Sequence, residues 1–306
     1  MPAAISIGAA VTLLPPVDRA AQRRQRRFSR GKVTGGNQVR LVTDIADDDR
    51  GRRARAHLGE SQVHVISSDG GQTPTALARI QTDGSARYTF IITWDPATPE
   101  LGAAAHVHVG SIAAFLSPGA DKVGGLLRSL PAGVTSSFDP NIRPEIIGSH
   151  QEAFEQFEAL ASHADIVKLS DEDALWLYAS ATPAELIDRL LDLGARIAIL
   201  TRGGDGLLLA SRQASVDVPA ASIEVVDTIG SGDSAMGAII DAVWRKGLDD
   251  LSAPALRRIG NWAATVAGAT TSRAGANPPW LKELSGDDWC GLSKPLPQLH
   301  ADGDRS

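Results

Sequence analysis

The sequence predicts an α/β fold: a doubly wound, mostly parallel sheet flanked by helices, with a small antiparallel β lid. Two observations predict it. From about residue 100 onward, short apolar runs alternate with stretches of helical spacing, the pattern of a parallel sheet covered on both faces. Before residue 100, two runs flank an Asp-Gly pair, which signals a hairpin.

In chain order, the apolar segment 1–14 lacks a basic n-region and a cleavage site, so it reads as a buried first strand rather than a signal peptide. Within a region spanning 63–93, "TALARIQ" and "ARYTFIIT" flank Thr82-Asp83-Gly84-Ser85 and read as antiparallel strands extending from the main sheet. "AAHVHVG" (104–110), "GVTSSF" (133–138), "ADIVKL" (164–169) and "RIAILT" (196–201) read as further strands. Helical spacing marks 121–130, 150–163, 171–179, 183–193 and 253–270, with Thr182-Pro183 opening the fourth of these. Beyond Pro278-Pro279 the chain turns polar, so a single domain over 1–280 and a loose tail over 281–306 are expected.

Composition narrows the function classes. Hydrophobic residues at 43% and charged residues at 22% are ordinary globular usage, which excludes wholesale disorder. A net charge of −6 argues against broad nucleic-acid binding. No apolar run approaches the roughly 20 residues that span a bilayer, so no membrane partner is expected. Cys290 is the only cysteine, which rules out an intrachain disulfide and fits a cytoplasmic location. His106 and His108 share one face of a strand without a third ligand nearby, so packing is the expectation. Trp176, Trp244 and Trp262 fall in helical patterns and read as core or interface.

The stretch "DTIGSGDSAMGAII" (227–240) carries chemistry. Met236, Ile239, Ile240 and Val243 recur at helical spacing, so a helix begins close to Asp233. Gly230 and Gly232 permit a sharp turn with close backbone approach, and a helix N-terminus offers unpaired N–H donors to an anion. Asp233 then has two readings. One is a helix cap; the other is a general base that takes a hydroxyl proton while the loop N–H groups hold a transferring phosphoryl group. The stretch matches neither a Walker A loop nor a dinucleotide fingerprint.

This stretch resembles the C-terminal signature of the ribokinase-like (PfkB) carbohydrate kinases, with Ser231 in a position usually held by alanine. The resemblance covers roughly 37–280 and continues through "SFDPNIRPEI" (137–146), "ADIVKLSDEDALWLY" (164–178), "LTRGGDGLLL" (200–209) and "SRAGANPP" (272–279), in the manner of fructokinase-like members. It implies a ribokinase-like fold, ATP and Mg²⁺ as cofactors, and a sugar as substrate. It makes Asp233 the catalytic base and gives the anion hole to Gly230, Ser231 and Gly232.

For the nucleotide the resemblance implies Lys168, Thr201, Gly203 and Asn261, with Gly206 also in that segment but serving its turn. For the substrate it implies Asp139, Asn141 and Arg143, which follow a strand's C-terminal end; a solvent salt bridge is the other reading of Arg143. "KLSDED" stands where the family has Asn-x-x-Glu, so Glu172 and Asp173 are implied near magnesium, while Ser170 with these acids also reads as an ordinary helix start. Asp227 is implied at a potassium site closed by "SRAGA" (272–276). Strands of the 63–93 region, a lid in relatives, allow a homodimer.

The N-terminus departs from the family pattern. Thr12 stands where a sugar-binding Asp is expected, and the Gly35-Gly36 pair is misplaced for the sugar pocket. Arg23-Arg24-Gln25-Arg26-Arg27 can be encoded by a GC-rich stretch that, one base over, reads Ala-Ala-Asn-Val-Ala, the kind of sequence the missing segment should contain. A local frameshift across 18–36 is one explanation; a basic solvated helix or loop is another, and a nucleic-acid arm a third. Three functions follow: a fructokinase-like sugar kinase, an impaired homologue that binds nucleotide or a partner, and a nucleoside kinase on the same fold.

Overall fold

The computed structural model describes residues 4–5, 10–14, 39–61, 63–68, 71–80, 86–102, 104–280 and 283–284, with the side chains of 4–5, 10–14, 76–80 and 86–89 left aside. The expected turn at 82–85, the atypical segment at 17–36 and most of the tail lie outside the described residues.

Twelve strands and eight α-helices are described: β1 (Ala4–Ile5), β2 (Ala10–Leu14), β3 (Arg40–Val42), α1 (Asp49–Glu60), β4 (His64–Ile66), β5 (Thr75–Ile80), β6 (Ala86–Ile91), β7 (His106–Gly110), α2 (Gly119–Arg128), β8 (Thr135–Asp139), α3 (Pro144–Ile147), α4 (His150–Ala161), β9 (Ile166–Ser170), α5 (Asp171–Leu177), α6 (Pro183–Leu193), β10 (Ile197–Thr201), β11 (Leu207–Ala210), β12 (Ser215–Val218), α7 (Ser231–Lys246) and α8 (Ala253–Thr271). Nine strands form one sheet in the order β12-β11-β10-β9-β8-β7-β2-β3-β4, and β1, β5 and β6 form a separate small sheet. The centre, β7-β8-β9-β10, is parallel. The β11-β12 end and β2 are antiparallel to their neighbours.

Two expectations change. The apolar segment 1–14 is not one strand, because β1 pairs with β5 in the small sheet while β2 enters the large one. The region 63–93 is not all lid: β4 pairs in parallel with β3 in the large sheet, and the antiparallel pair begins at Thr75.

Two cores cover the two faces of the large sheet. On one, Val123 and Leu127 of α2, Phe157 and Leu160 of α4 and Leu186 and Leu190 of α6 pack on Phe138 and Val167. On the other, Ala235, Met236, Ile239 and Val243 of α7 and Leu256, Ile259 and Trp262 of α8 pack on Ile166, Ile199, Leu209 and Val218. The period-2 alternation of β9 divides between them: Val167 and Leu169 face the first core and Ile166 the second. Lys168 therefore lies on the α7 face. No helix among the described residues is long and apolar enough to cross a membrane.

Candidate active site

The loop 227–230 turns into α7 at Gly230, whose φ of +80° suits glycine. A methyl group there would also come within 3.0 Å of Ala276 Cβ, so the glycine fits the loop against the segment after α8. Gly230 is the N-cap and provides no side-chain cap, which leaves N–H groups of the first turn without a side-chain acceptor. Asp233 occupies the third helical position, exposed, and its carboxylate has no hydrogen bond or ion pair among the described residues. The capping reading of Asp233 is thus not what the geometry presents.

Asp227 braces the loop. Its Oδ1 accepts from the Ile229 amide at 3.0 Å and its Oδ2 from the Gly275 amide at 2.8 Å, and these bonds hold its carboxyl below the usual range. The amides of Val226 and Asp227 both donate to the Thr271 carbonyl. This ties "SRAGA" to the loop. Exposed apolar side chains of Ile223, Val225, Val226 and Ile229 lead into it.

Beneath the loop lies a buried ion pair. Lys168 Nζ donates to Asp139 Oδ2 at 2.9 Å, with both residues no more than 5% exposed. A cation on an apolar sheet face needs such a partner. Burial pushes the Asp139 carboxyl up to about 6, opposed by Lys168 and reinforced by the charges of Asp173 and Asp233. Burial pushes the Lys168 ammonium down, but Asp139, Asp173 and Asp233 carry the net shift upward. Both partners are charged at pH 7. Asp139 Oδ1 is buried and unbonded, and a methyl group on Gly232 would lie 3.8 Å from Lys168 Nζ. Loop and pair are therefore neighbours.

Asp173 is buried and fully engaged with the backbone. Its Oδ1 accepts from the Ile142 amide at 2.7 Å, and its Oδ2 from the Ser170 amide at 3.1 Å, while Ser170 Oγ accepts from the Asp173 amide. This is a capping box on α5. Glu172 is exposed, and its carboxylate has no partner among the described residues. Asn141 sits at a φ of +44°, and Arg143 is exposed, its guanidinium donating to the Ile142 carbonyl at 2.7 Å. The structure does not bring Glu172 or the Arg143 head onto the ion pair.

Thr201 ends β10, its hydroxyl 3.4 Å from the Leu169 carbonyl that accepts from it. Gly203 is exposed at a φ of +51°. Gly206 has a φ of +86°, and a methyl group there would lie 2.1 Å from the Val218 carbonyl oxygen, so it serves the turn. Asn261 is exposed on α8, the helix that packs along α7. No group of acids, histidines or cysteines able to hold a metal ion by itself occurs among the described residues.

The sequence profile of the pfkB family carbohydrate kinase matches residues 32–283. The chain belongs to this family. Among curated relatives, it is 31% identical over 205 residues to a fructokinase of Rhizobium leguminosarum bv. trifolii, covering 63% of this chain and 62% of that one. It is 26% identical over 257 residues to fructokinase-1 of Zea mays, covering 79% and 80%. Among solved structures, the fructokinase from Vibrio cholerae with fructose, ADP and calcium bound superimposes with a TM-score of 0.65 at 21% identity, covering 76% of this chain and 79% of that one. An uncharacterized sugar kinase of Pyrococcus horikoshii in complex with ATP gives 0.63 at 23% identity, covering 78% of each. These superpositions establish the ribokinase-like fold of this pfkB family member.

Reasoning from sequence passed over one feature of the site's face. His106 and His108 read as packing, and Ser137 within "SFDPNIRPEI" was not singled out, yet Ser137 Oγ lies 2.8 Å from His106 Nε2 and 2.9 Å from His108 Nδ1. The alternation of polar residues in "TSSFD" was the available signal.

Proposed function

We propose that this pfkB family member is an ATP-dependent sugar kinase of fructokinase type, phosphorylating a primary hydroxyl. The observation that carries the reading is the open N-terminus of α7, with the unpartnered Asp233 in its first turn and the Lys168–Asp139 pair beneath. Asp233 takes the proton of the attacking hydroxyl, and the N–H groups of Gly230 and Gly232 stabilise the charge on the transferring phosphoryl group, while the Ser231 N–H, expected to join them, instead donates to the Thr228 carbonyl at 3.2 Å and holds the turn. Lys168 adds a fixed cation on the same side. Asn261, Thr201, Gly203 and the exposed apolar stretch from Ile223 face the nucleotide; Asn141 and Arg143 lie on the acceptor side of the loop after β8.

Of the acids, Asp173 has both oxygens on backbone amides and Glu172 lies off the ion pair, so Asp139 Oδ1, a buried oxygen without a partner, is the atom that would accept from the waters a magnesium ion retains. Bound with ATP, the ion would neutralise phosphate charge. The relatives' fructose, ADP, ATP, calcium and potassium support the same reading of substrates and ions. Asp227 serves through the backbone it organises, since both its oxygens are engaged by amides. A cytoplasmic location agrees with the single cysteine, Cys290, and a homodimer through the small sheet is compatible with this reading.

A second reading is an impaired homologue that binds nucleotide without turnover. The direction of β2 favours it. Leu14 pairs with His106 and Arg40 with Leu13, so both described ends of the connection 15–38 lie where β7 begins. Asp139 and Ser170 lie where β8 and β9 end, about 13 Å away for four residues of strand. Thr12 pairs with His108 in mid-strand.

ADP release against a panel of sugars and nucleosides, with Mg²⁺ and K⁺, tests both readings. Asp233→Ala is expected to lower kcat at least about 10²-fold while leaving ATP affinity within a few-fold. Turnover unaffected by that substitution overturns the mechanism; ATP binding with no acceptor turned over by the wild type establishes the second reading.

A further inference from the structure

On the face of the large sheet that carries the site, α8 holds the loop before α7 at both of its ends. At the entry, the Val226 and Asp227 amides donate to the Thr271 carbonyl at 3.0 and 3.1 Å. At the exit, the hydroxyl of Thr270, the preceding residue, lies 2.8 Å from Ser234 Oγ and 3.0 Å from the Val266 carbonyl. Thr270 has one proton and a carbonyl can only accept, so with that proton on Val266 the Ser234 hydroxyl donates to Thr270 and both protons are used. Thr270 is 0% exposed and Ser234 5%. The Thr270 methyl carbon would lie 3.9 Å from a methyl group at Gly230, so one side chain reaches both the N-cap and the fourth helical residue of α7.

Ser234 is the first buried residue of α7; Gly232 and Asp233 before it are exposed, and Ser231 is half-buried. The N-cap gives no side-chain bond, and the apolar packing of the helix starts only at Ala235. The Ser234 amide donates to the Gly230 carbonyl at 2.9 Å, which closes the first turn but does not decide which way it faces. The side chain that fixes this turn against rotation about the helix axis is therefore Ser234. Successive helical residues stand about 100° apart, so with Ser234 turned into α8 its neighbour Asp233 is turned out to the open side of the loop. The Asp233 carboxylate itself has no bond among the described residues to hold it there.

We propose that Ser234 and Thr270 are positioning residues for the phosphoryl transfer: their hydroxyl bond sets the rotation of the first turn of α7, and with it the direction of the Asp233 carboxylate. The proposal rests on the sugar-kinase reading and deepens it. Two buried side chains thereby act on turnover through Asp233 and not through binding. Rate is sensitive to such aim, since a misplacement of about 1 Å can cost about 10²-fold.

Steady-state kinetics on the full chain, with separate KM values for ATP and acceptor, tests it. Ser234→Ala leaves no buried donor unpaired, because Thr270 keeps the Val266 carbonyl, so the variant folds, as near-UV circular dichroism checks. It lowers kcat about ten-fold and leaves both KM values within about two-fold. Thr270→Val, which keeps the methyl group and loses the hydroxyl, gives the same loss. Thr270→Ser, which keeps the hydroxyl, stays within about two-fold of the wild type. The double variant Ser234→Ala/Thr270→Val loses no more than either single one. In an Asp233→Ala background, Ser234→Ala lowers the residual kcat by less than about two-fold. An equal fall in both backgrounds, KM values rising in step with the loss of kcat, or Thr270→Ser behaving as Thr270→Val overturns the role. A wild type that turns over a sugar with Ser234→Ala unchanged sinks this proposal alone; a wild type that turns over no acceptor of the panel sinks the kinase reading with it.

Discussion

His106 illustrates at the residue scale how burial and chemistry trade off on this face. Burial pushes its imidazole down to about 3, so the ring is neutral at physiological pH and can both donate and accept in its bonds to Thr135 and Ser137. The unfolded chain has a histidine near its ordinary pKa of about 6.5 and takes up a proton first as pH falls. Stability from this group is therefore complete above about 6.5 and declines as pH falls toward 3, by up to about 1.4 kcal/mol per pH unit. Urea denaturation between pH 7 and 4.5 should show that decline in the wild type. His106→Gln, which keeps an amide for Ser137 and does not titrate, should flatten it; an unchanged slope excludes His106 as the cause. "AHVHVG" told of a strand with two histidines on one face, but not of the serine between them, because the partner lies 31 positions away.

At the scale of elements, α5 shows one segment answering two demands. "KLSDED" read both as a helix start and as a magnesium-organising pair, and the structure places Ser170 and Asp173 in a reciprocal capping box. The same carboxylate also accepts from the Ile142 amide, which pins the loop after β8 to the start of α5. Ser170→Ala removes one side of the box and should lower the unfolding free energy by about 1 kcal/mol, measured by urea denaturation. A loss under about 0.3 kcal/mol would mean that Asp173 alone holds the helix start. The capping box was legible because it is local, spanning four residues. The bond to Ile142 was not, since it depends on β8 and β9 lying side by side.

At the scale of the molecule, two cores back onto one sheet. Phe157 projects from α4 onto one face and Leu209 of β11 lies under α8 on the other, both with no exposed surface. Phe157→Ala should cost about 3–5 kcal/mol and Leu209→Ala about 2–5 kcal/mol. Because the two faces belong to the same strands, each variant should lower one shared calorimetric transition rather than split it. Two separate transitions, each sensitive to only one substitution, would show that the faces unfold independently.

The sequence by itself determined the α/β class, the helices from 150 to 193 nearly to the residue, the glycine turn before α7 and the family. Each rests on information within a few residues: periodicity, a capping pair, a glycine turn. Tertiary structure alone decided that β2 runs antiparallel to β7, that β4 joins the large sheet, and that Lys168 finds Asp139 beneath the loop. An apolar run reads the same in either direction, and a buried lysine does not name its counter-ion. Strand direction, register and the partners of buried charge are settled by pairings between distant segments. Those pairings decide which side chains share a face with the loop before α7.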